Sequence, residues 1–187
     1  MMLEDMAERI LLAVRIWNKR IALATGFILL ACAGLVLVDI TMRQLGSSLG
    51  GTDEISGYVM AIATAWGMSF ALTELSHVRI DFLRSNTPQK TRVLFDLFAL
   101  FSLAMTVAII ANQCWPVVAT TLKNASTANT PLETPLALVQ IPWFAGWLWF
   151  AFSSWLIFLS AMVLVVKGRF KKVEGVIGIA SAQEEWL

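Results

Sequence analysis

The sequence predicts an all-α integral membrane protein with four transmembrane helices and both termini in the cytoplasm. Of its 187 residues, 58% are hydrophobic and 14% are charged, whereas soluble domains have about half apolar and about a quarter charged residues. Four apolar runs are long enough to cross a bilayer, and basic residues alternate between the segments that join them. The net charge of +1 provides no basic field that would favour nucleic acid.

The four predicted spans approach or exceed the roughly 20 residues that cross a hydrocarbon core about 30 Å thick. We expect the first span to be retained, because its apolar run continues beyond LLAC, a loose lipoprotein cleavage signal. The third span is extended back to Pro88, and Pro142 is predicted to begin the fourth, because proline suits the first helical position. The predicted spans are 21–38, 57–75, 88–114 and 142–166.

The distribution of basic residues predicts the orientation. Twelve lysines and arginines flank the cytoplasmic side of this layout and only Arg43 and Lys123 lie in the other two connections. Cytoplasmic connections are enriched in basic residues, so both termini and the connection from 76 to 92 are placed inside. The twelve are Arg9, Arg15, Lys19, Arg20, Arg79, Arg84, Lys90, Arg92, Lys167, Arg169, Lys171 and Lys172.

Residues 1–20 are predicted to form an amphipathic cytoplasmic helix, followed by a transmembrane domain over 21–168 and a cytoplasmic tail over 169–187. Apolar residues recur every three or four positions in this first segment, which suits a helix on the inner leaflet or against a partner. A plain helical extension of the first span explains the pattern equally well. The apolar positions are Leu3, Met6, Ile10, Val14 and Trp17.

The chemistry that would indicate an enzyme or a stand-alone carrier is missing from the sequence pattern. His77 is the only histidine and lies beyond the second span, so paired axial histidines for haem are excluded. Charged residues stay near helix ends, whereas carriers place charges or broken helices at the midplane. Cys32 and Cys114 lie in apolar runs without metal-site spacing. We therefore expect no enzymatic activity and no cofactor.

The second span is predicted to pack closely against other helices. Small residues recur at four-residue intervals along it, and such rows let backbones approach each other in lipid. The rows serve contacts within this chain or with another membrane protein. The residues predicted to pack are Gly57, Ala61, Ala65, Gly67 and Ser69.

The arrangement resembles the small membrane subunit (Q subunit, DctQ type) of tripartite ATP-independent periplasmic (TRAP) transporters. The resemblance covers about residues 21–168 and depends on the order of several short motifs. These are DITMRQLG at 39–46, the acidic pair Asp53-Glu54, SHVRIDFL at 76–83 and IPW at 141–143.

The resemblance implies a scaffold subunit in the bacterial inner membrane. Its partners would be a large sodium-coupled, elevator-type membrane subunit and a periplasmic protein that delivers an organic acid or related carboxylate. Membrane phospholipid is a further expected contact. Pro142 is assigned a structural role. The expected contacts to partners or lipid are Arg43, Asp53, Glu54, His77, Arg79 and Asp81.

Two other functions are compatible with four spans. One is a stand-alone transporter or channel that oligomerises to build a pathway, which the uncharged midplane disfavours. The other is a membrane anchor for a redox enzyme, which the single histidine disfavours.

Overall fold

The computed structural model describes residues 2–74 and 87–177 and contains five helices within these ranges. Four are long and apolar enough to span a membrane, as predicted, and the fifth is short. Within the described ranges the only β-type pairing is an isolated bridge between Thr127 and Pro135. The helices are α1 (Met2–Gln44), α2 (Thr52–Thr73), α3 (Gln89–Asn124), α4 (Ala137–Val166) and α5 (Phe170–Ile177).

The helices extend beyond the predicted apolar runs. α1 continues without a break from Met2 through the first span, and this continuity is compatible with both alternatives for the first twenty residues. α3 continues through Pro116 to Asn124, and α4 begins at Ala137, five residues before Pro142. The prediction that Pro142 begins α4 was therefore wrong. Hydropathy marks the part of a helix that suits lipid, whereas polar residues continue the helix outside it.

α4 occupies the centre of the bundle. It packs against α1, α2, α3 and α5, while α1 packs mainly against α2 and α3 mainly against α4. The core contains side chains from several helices that exclude nearly all solvent, including Leu100 of α3 and Phe150, Ala161 and Leu164 of α4. In lipid such packing stabilises a bundle through close contact rather than through removal of water.

The bundle has two ends. The loop end contains the connection from α1 to α2 and the connection from α3 to α4, over residues 125–136. The terminus end contains the start of α1, the end of α2, the start of α3 and α5. Ion pairs between Arg15 and Glu74 and between Glu4 and Arg169 hold elements of the terminus end together.

α2 and α4 approach each other closely at Gly146. A Cβ atom built on Gly146 would lie 2.9 Å from the Cβ of Ala65 and 3.0 Å from the Ala65 backbone carbon. Backbone atoms cannot move away as a flexible side chain does, so only glycine fits here without displacement of a helix.

Candidate functional site

Asp39 organises the loop end. Its carboxylate is 2% exposed and accepts hydrogen bonds from the Leu49 backbone N–H at 2.8 Å and the Ser48 hydroxyl at 3.1 Å. Arg43, one helical turn later, donates to the same carboxylate at 2.7 Å. Since a buried carboxylate requires donors and a counter-charge, these contacts stabilise the α1–α2 connection in one conformation.

Arg43 extends the Asp39 network to the surface. Its guanidinium lies 3.5 Å from the Asp53 carboxylate in the first turn of α2. The Asp53 side chain is 92% exposed, and an exposed ion pair of this kind contributes little to stability. Asp53 is therefore available for contact with another molecule.

Glu54 and Tyr58 line a depression of about 520 Å³ at the loop end. The Tyr58 hydroxyl donates to Glu54 at 2.7 Å, and Thr130 and Pro131 of the 125–136 connection form the opposite wall. Asp53 lies on the rim with an exposed carboxylate, whereas one carboxylate oxygen of Glu54 is buried. The negative charge of the depression suits a basic side chain of a partner.

Gly51 sets the entry into α2. It has φ 71°, in the left-handed region that favours glycine, and a Cβ there would lie 2.3 Å from the Leu132 side chain. The 125–136 connection thus packs directly against the start of α2. The depression is built from two connections whose relative positions are fixed.

Asn18 joins three helices near the terminus end. Its side chain is fully buried, donates to the Ser69 carbonyl of α2 at 2.9 Å, and accepts from the Trp149 indole N–H of α4 at 2.8 Å. A second bond between helices links the Trp66 indole N–H to the Pro142 carbonyl at 2.9 Å. Bonds of this kind fix the relative rotation and height of packed membrane helices.

We call α5 and the polar residues that contact it the terminal cluster. Arg169 lies 2.8 Å from Glu4, and Lys172 bonds to Glu8. On the other side of α5, Gln89 donates to Glu174 at 2.9 Å, while Val173 and Ile177 are buried. α5 therefore connects the starts of α1 and α3.

The hydrogen bond to Glu8 raises the pKa of Lys172 above its ordinary value of 10.5. A raised pKa for a cation means that its contact stabilises the fold at neutral pH and is lost only as the pH rises through that elevated pKa. Lys172 therefore keeps its positive charge, and its contact with Glu8, as the pH changes within the physiological range.

The small residues predicted on α2 divide between two environments. Ala65 and Ser69 are buried in the interface with α1 and α4, Gly67 is half-buried, and Gly57 and Ala61 are exposed. The exposed pair lies toward the loop end of α2. Any packing by Gly57 and Ala61 would therefore be against a partner protein or lipid.

His77, Arg79 and Asp81 lie outside the described residues. Within the described residues, 2–74 and 87–177, the structure brings together no group of three His, Cys, Asp or Glu side chains that could hold a metal ion. The polar groups described above bond to one another and to backbone.

The sequence pattern missed four residues that position these surfaces: Asn18, Asp39, Gly146 and Trp149. Asn18 carried a signal, because it interrupts the inward apolar face of α1 formed by Ala7, Leu11 and Val14. A polar residue in that position requires a partner. No comparable signal marked Trp149, since tryptophans near helix ends are common lipid anchors.

Comparison with known proteins identifies one family. The model described as "Tripartite ATP-independent periplasmic transporters, DctQ component" matches residues 32–168, nearly three-quarters of the chain. The matched range contains α2, α3, α4 and the last part of α1, and excludes α5 and the first part of α1. No curated protein and no solved structure matched the chain in these comparisons.

Proposed function

Because the chain belongs to the DctQ family, the small membrane subunits of TRAP transporters, we propose that it acts as the scaffold for a large transporting subunit. The family makes the chain a multi-pass permease component of the bacterial inner membrane. In the proposal, the large subunit is a sodium-coupled carrier of the elevator type. A periplasmic protein delivers the substrate, an organic acid or related carboxylate.

The uncharged interior of the spans supports a scaffold role. No Asp, Glu, Lys or Arg occurs over residues 21–38 of α1, 55–73 of α2, 97–122 of α3 or 137–166 of α4. Transport pathways for ions or anionic substrates usually place charged side chains or interrupted helices near the midplane. A subunit that only supports another has no need of either.

We further propose that both termini face the cytoplasm. This is based on the excess of Lys and Arg at the terminus end. The loop end then faces the periplasm, and the depression bordered by Asp53 and Glu54 is accessible to the large subunit or the docked periplasmic protein. Arg43, Asp53 and Glu54 are the proposed contact residues there, and His77, Arg79 and Asp81 are proposed contacts on the cytoplasmic side.

The family match carries the proposal, and copurification tests it. The tagged chain, expressed in mild detergent with its neighbouring genes, is expected to recover a stoichiometric and much larger membrane protein. Recovery of copies of this chain alone would contradict the scaffold role and favour a homo-oligomeric transporter. Haem absorption in the purified protein would favour a redox anchor.

The contact residues are tested in the same assay. Glu54→Ala is expected to lower both the yield of the complex and substrate uptake, because it removes a carboxylate from the depression. Lys123→Ala changes an exposed charge at the end of α3 and serves as the control. Unchanged yield and uptake for Glu54→Ala would remove that residue from the interface.

A further inference from the structure

We propose that the first part of α1, residues 3–20, binds an anionic membrane surface. We call these residues the N-terminal segment. Its apolar side chains would enter the boundary between headgroups and acyl chains, and its cations would contact lipid phosphate. The proposal concerns lipid and does not depend on the transport role. The apolar residues are Leu3, Met6, Leu12, Ile16 and Trp17, and the cations are Arg9, Lys19 and Arg20.

The packing of the N-terminal segment leaves apolar side chains uncovered. Ala7 and Val14 are buried against the bundle, which fixes the rotation of the helix. Leu3, Met6 and Leu12 remain 50%, 54% and 60% exposed. Large apolar groups that extend past the end of α2 would be costly to leave in water.

The charges that remain on the surface of the segment are mainly positive. Glu4 is paired with Arg169, which directly precedes α5, and Glu8 is paired with Lys172 of α5. Within the described residues, Asp5 is left as the one acidic side chain of the segment outside these pairs, beside three exposed cations. A basic surface with apolar neighbours is complementary to anionic headgroups, where each Lys or Arg contributes about 1 kcal/mol.

Trp17 and Arg20 mark the depth of the interface. The Arg20 guanidinium lies 5.6 Å from the centre of the Trp17 ring. Tryptophan concentrates at the level of the headgroups, and arginine side chains reach from there toward phosphate. Both residues lie within a turn of Asn18, beside the end of α2.

The length of α1 is compatible with binding along the surface. Its 43 residues span about 64 Å, beyond the roughly 40–45 Å of a bilayer with its headgroups. An upright helix would carry Leu3 about 20 Å into the cytoplasm. A tilt of about 40°, at the upper end of the usual range, shortens the projection to about 50 Å and brings Leu3 to within about 10 Å of the headgroups.

Labelling in nanodiscs tests the proposal on the full chain. A fluorophore sensitive to polarity is attached at Met6→Cys, in a background with Cys32 and Cys114 replaced by Ala. The matched control is Lys171→Cys, an exposed position on α5. In discs of phosphatidylcholine and phosphatidylglycerol, we expect the Met6 label to be quenched by spin-labelled lipid and protected from iodide. The Lys171 label should show the reverse.

The charge component is measured with Arg9→Gln and Arg20→Gln. Each change is expected to lower the ratio of lipid-bound to released segment about fivefold. In discs of phosphatidylcholine alone, the protein with both arginines intact should show a loss as large as the two changes together cause. Lys123→Gln is the control. Equal iodide quenching at the Met6 and Lys171 labels would overturn the proposal. Protection of Met6 that appears only after addition of the large subunit would overturn it in favour of a protein partner.

Discussion

α1 and α4 are both apolar helices of more than spanning length, and they are buried to opposite extents. The most apolar stretch of α1 has no buried residue, whereas 44% of the corresponding stretch of α4 is buried. α1 has the more apolar stretch of the two. Hydropathy therefore does not identify the central helix, because lipid accepts an apolar side chain as readily as a neighbouring helix does.

The small and weakly polar residues distinguish the two helices. α4 buries Gly146, Ser153, Ser154 and Ser160, and these side chains let neighbouring helices approach along its length. The spanning part of α1 instead has a polar attachment on either side, Asn18 before it and Asp39 after it. Between these points its exposed aliphatic side chains face outward.

The largest expected effect comes from a larger side chain at Gly146, in the close contact between α2 and α4. Gly146→Leu should destabilise the bundle by about 3 kcal/mol, because the new side chain overlaps the α2 backbone at Ala65. Gly34→Leu in α1 is the matched control, since its Cβ would meet no atom within 4 Å. Thermal melting in detergent, followed by size-exclusion chromatography, compares the two. Similar melting temperatures for both variants would contradict the inference that α4 is packed more closely at Gly146 than α1 is at Gly34.

Removal of the first polar attachment of α1 should have the next largest effect. Asn18→Ala eliminates two hydrogen bonds between helices and leaves the Trp149 N–H without that partner, at a cost of about 2 kcal/mol. Asn112→Ala, at an exposed position of α3, is the control. If Asn18→Ala has the same melting temperature as the wild type in this assay, apolar packing and not the Asn18 hydrogen bonds holds α1 in place.

The second attachment should contribute less, because it lies nearer to water. Asp39→Ala removes the acceptor for the Leu49 N–H and the Ser48 hydroxyl, and we expect a loss of about 1 kcal/mol. Asp53→Ala, whose side chain is almost fully exposed, should change little. Limited proteolysis of the α1–α2 connection measures the difference, and equal cleavage rates for the two variants would contradict it.

The smallest effect is expected at the terminal cluster. Glu4→Arg and Arg169→Glu should each weaken the contact between α1 and α5 by about 0.5 kcal/mol, since the Arg169 side chain is largely exposed. The double variant should recover the loss. Hydrogen exchange of the α5 amides reports this contact. A double variant that exchanges faster than either single variant would show that the ion pair does not hold α5.

The number and approximate position of the spanning helices followed from apolar runs, whereas their ends and packing did not. α3 continues past Cys114 to Asn124 through Pro116 and the more polar residues that follow, and α5 is only eight residues long. The loop-end residues Asp53 and Glu54 were identified by their place in a motif. Asp39 was missed as their organising neighbour, because its partners are brought together only by the turn that follows α1.

Asn18 and Trp66 also relate the fold to the order of synthesis. Both lie on helices made early, and both bond to groups on α4, the fourth spanning helix in chain order. Until α4 inserts, the Asn18 carbonyl and the Trp66 N–H lack these partners in a solvent that supplies almost no replacements. The bond from Asn18 to Ser69 can form once α1 and α2 have inserted, whereas the bonds of Asn18 to Trp149 and of Trp66 to Pro142 form only when α4 joins the bundle.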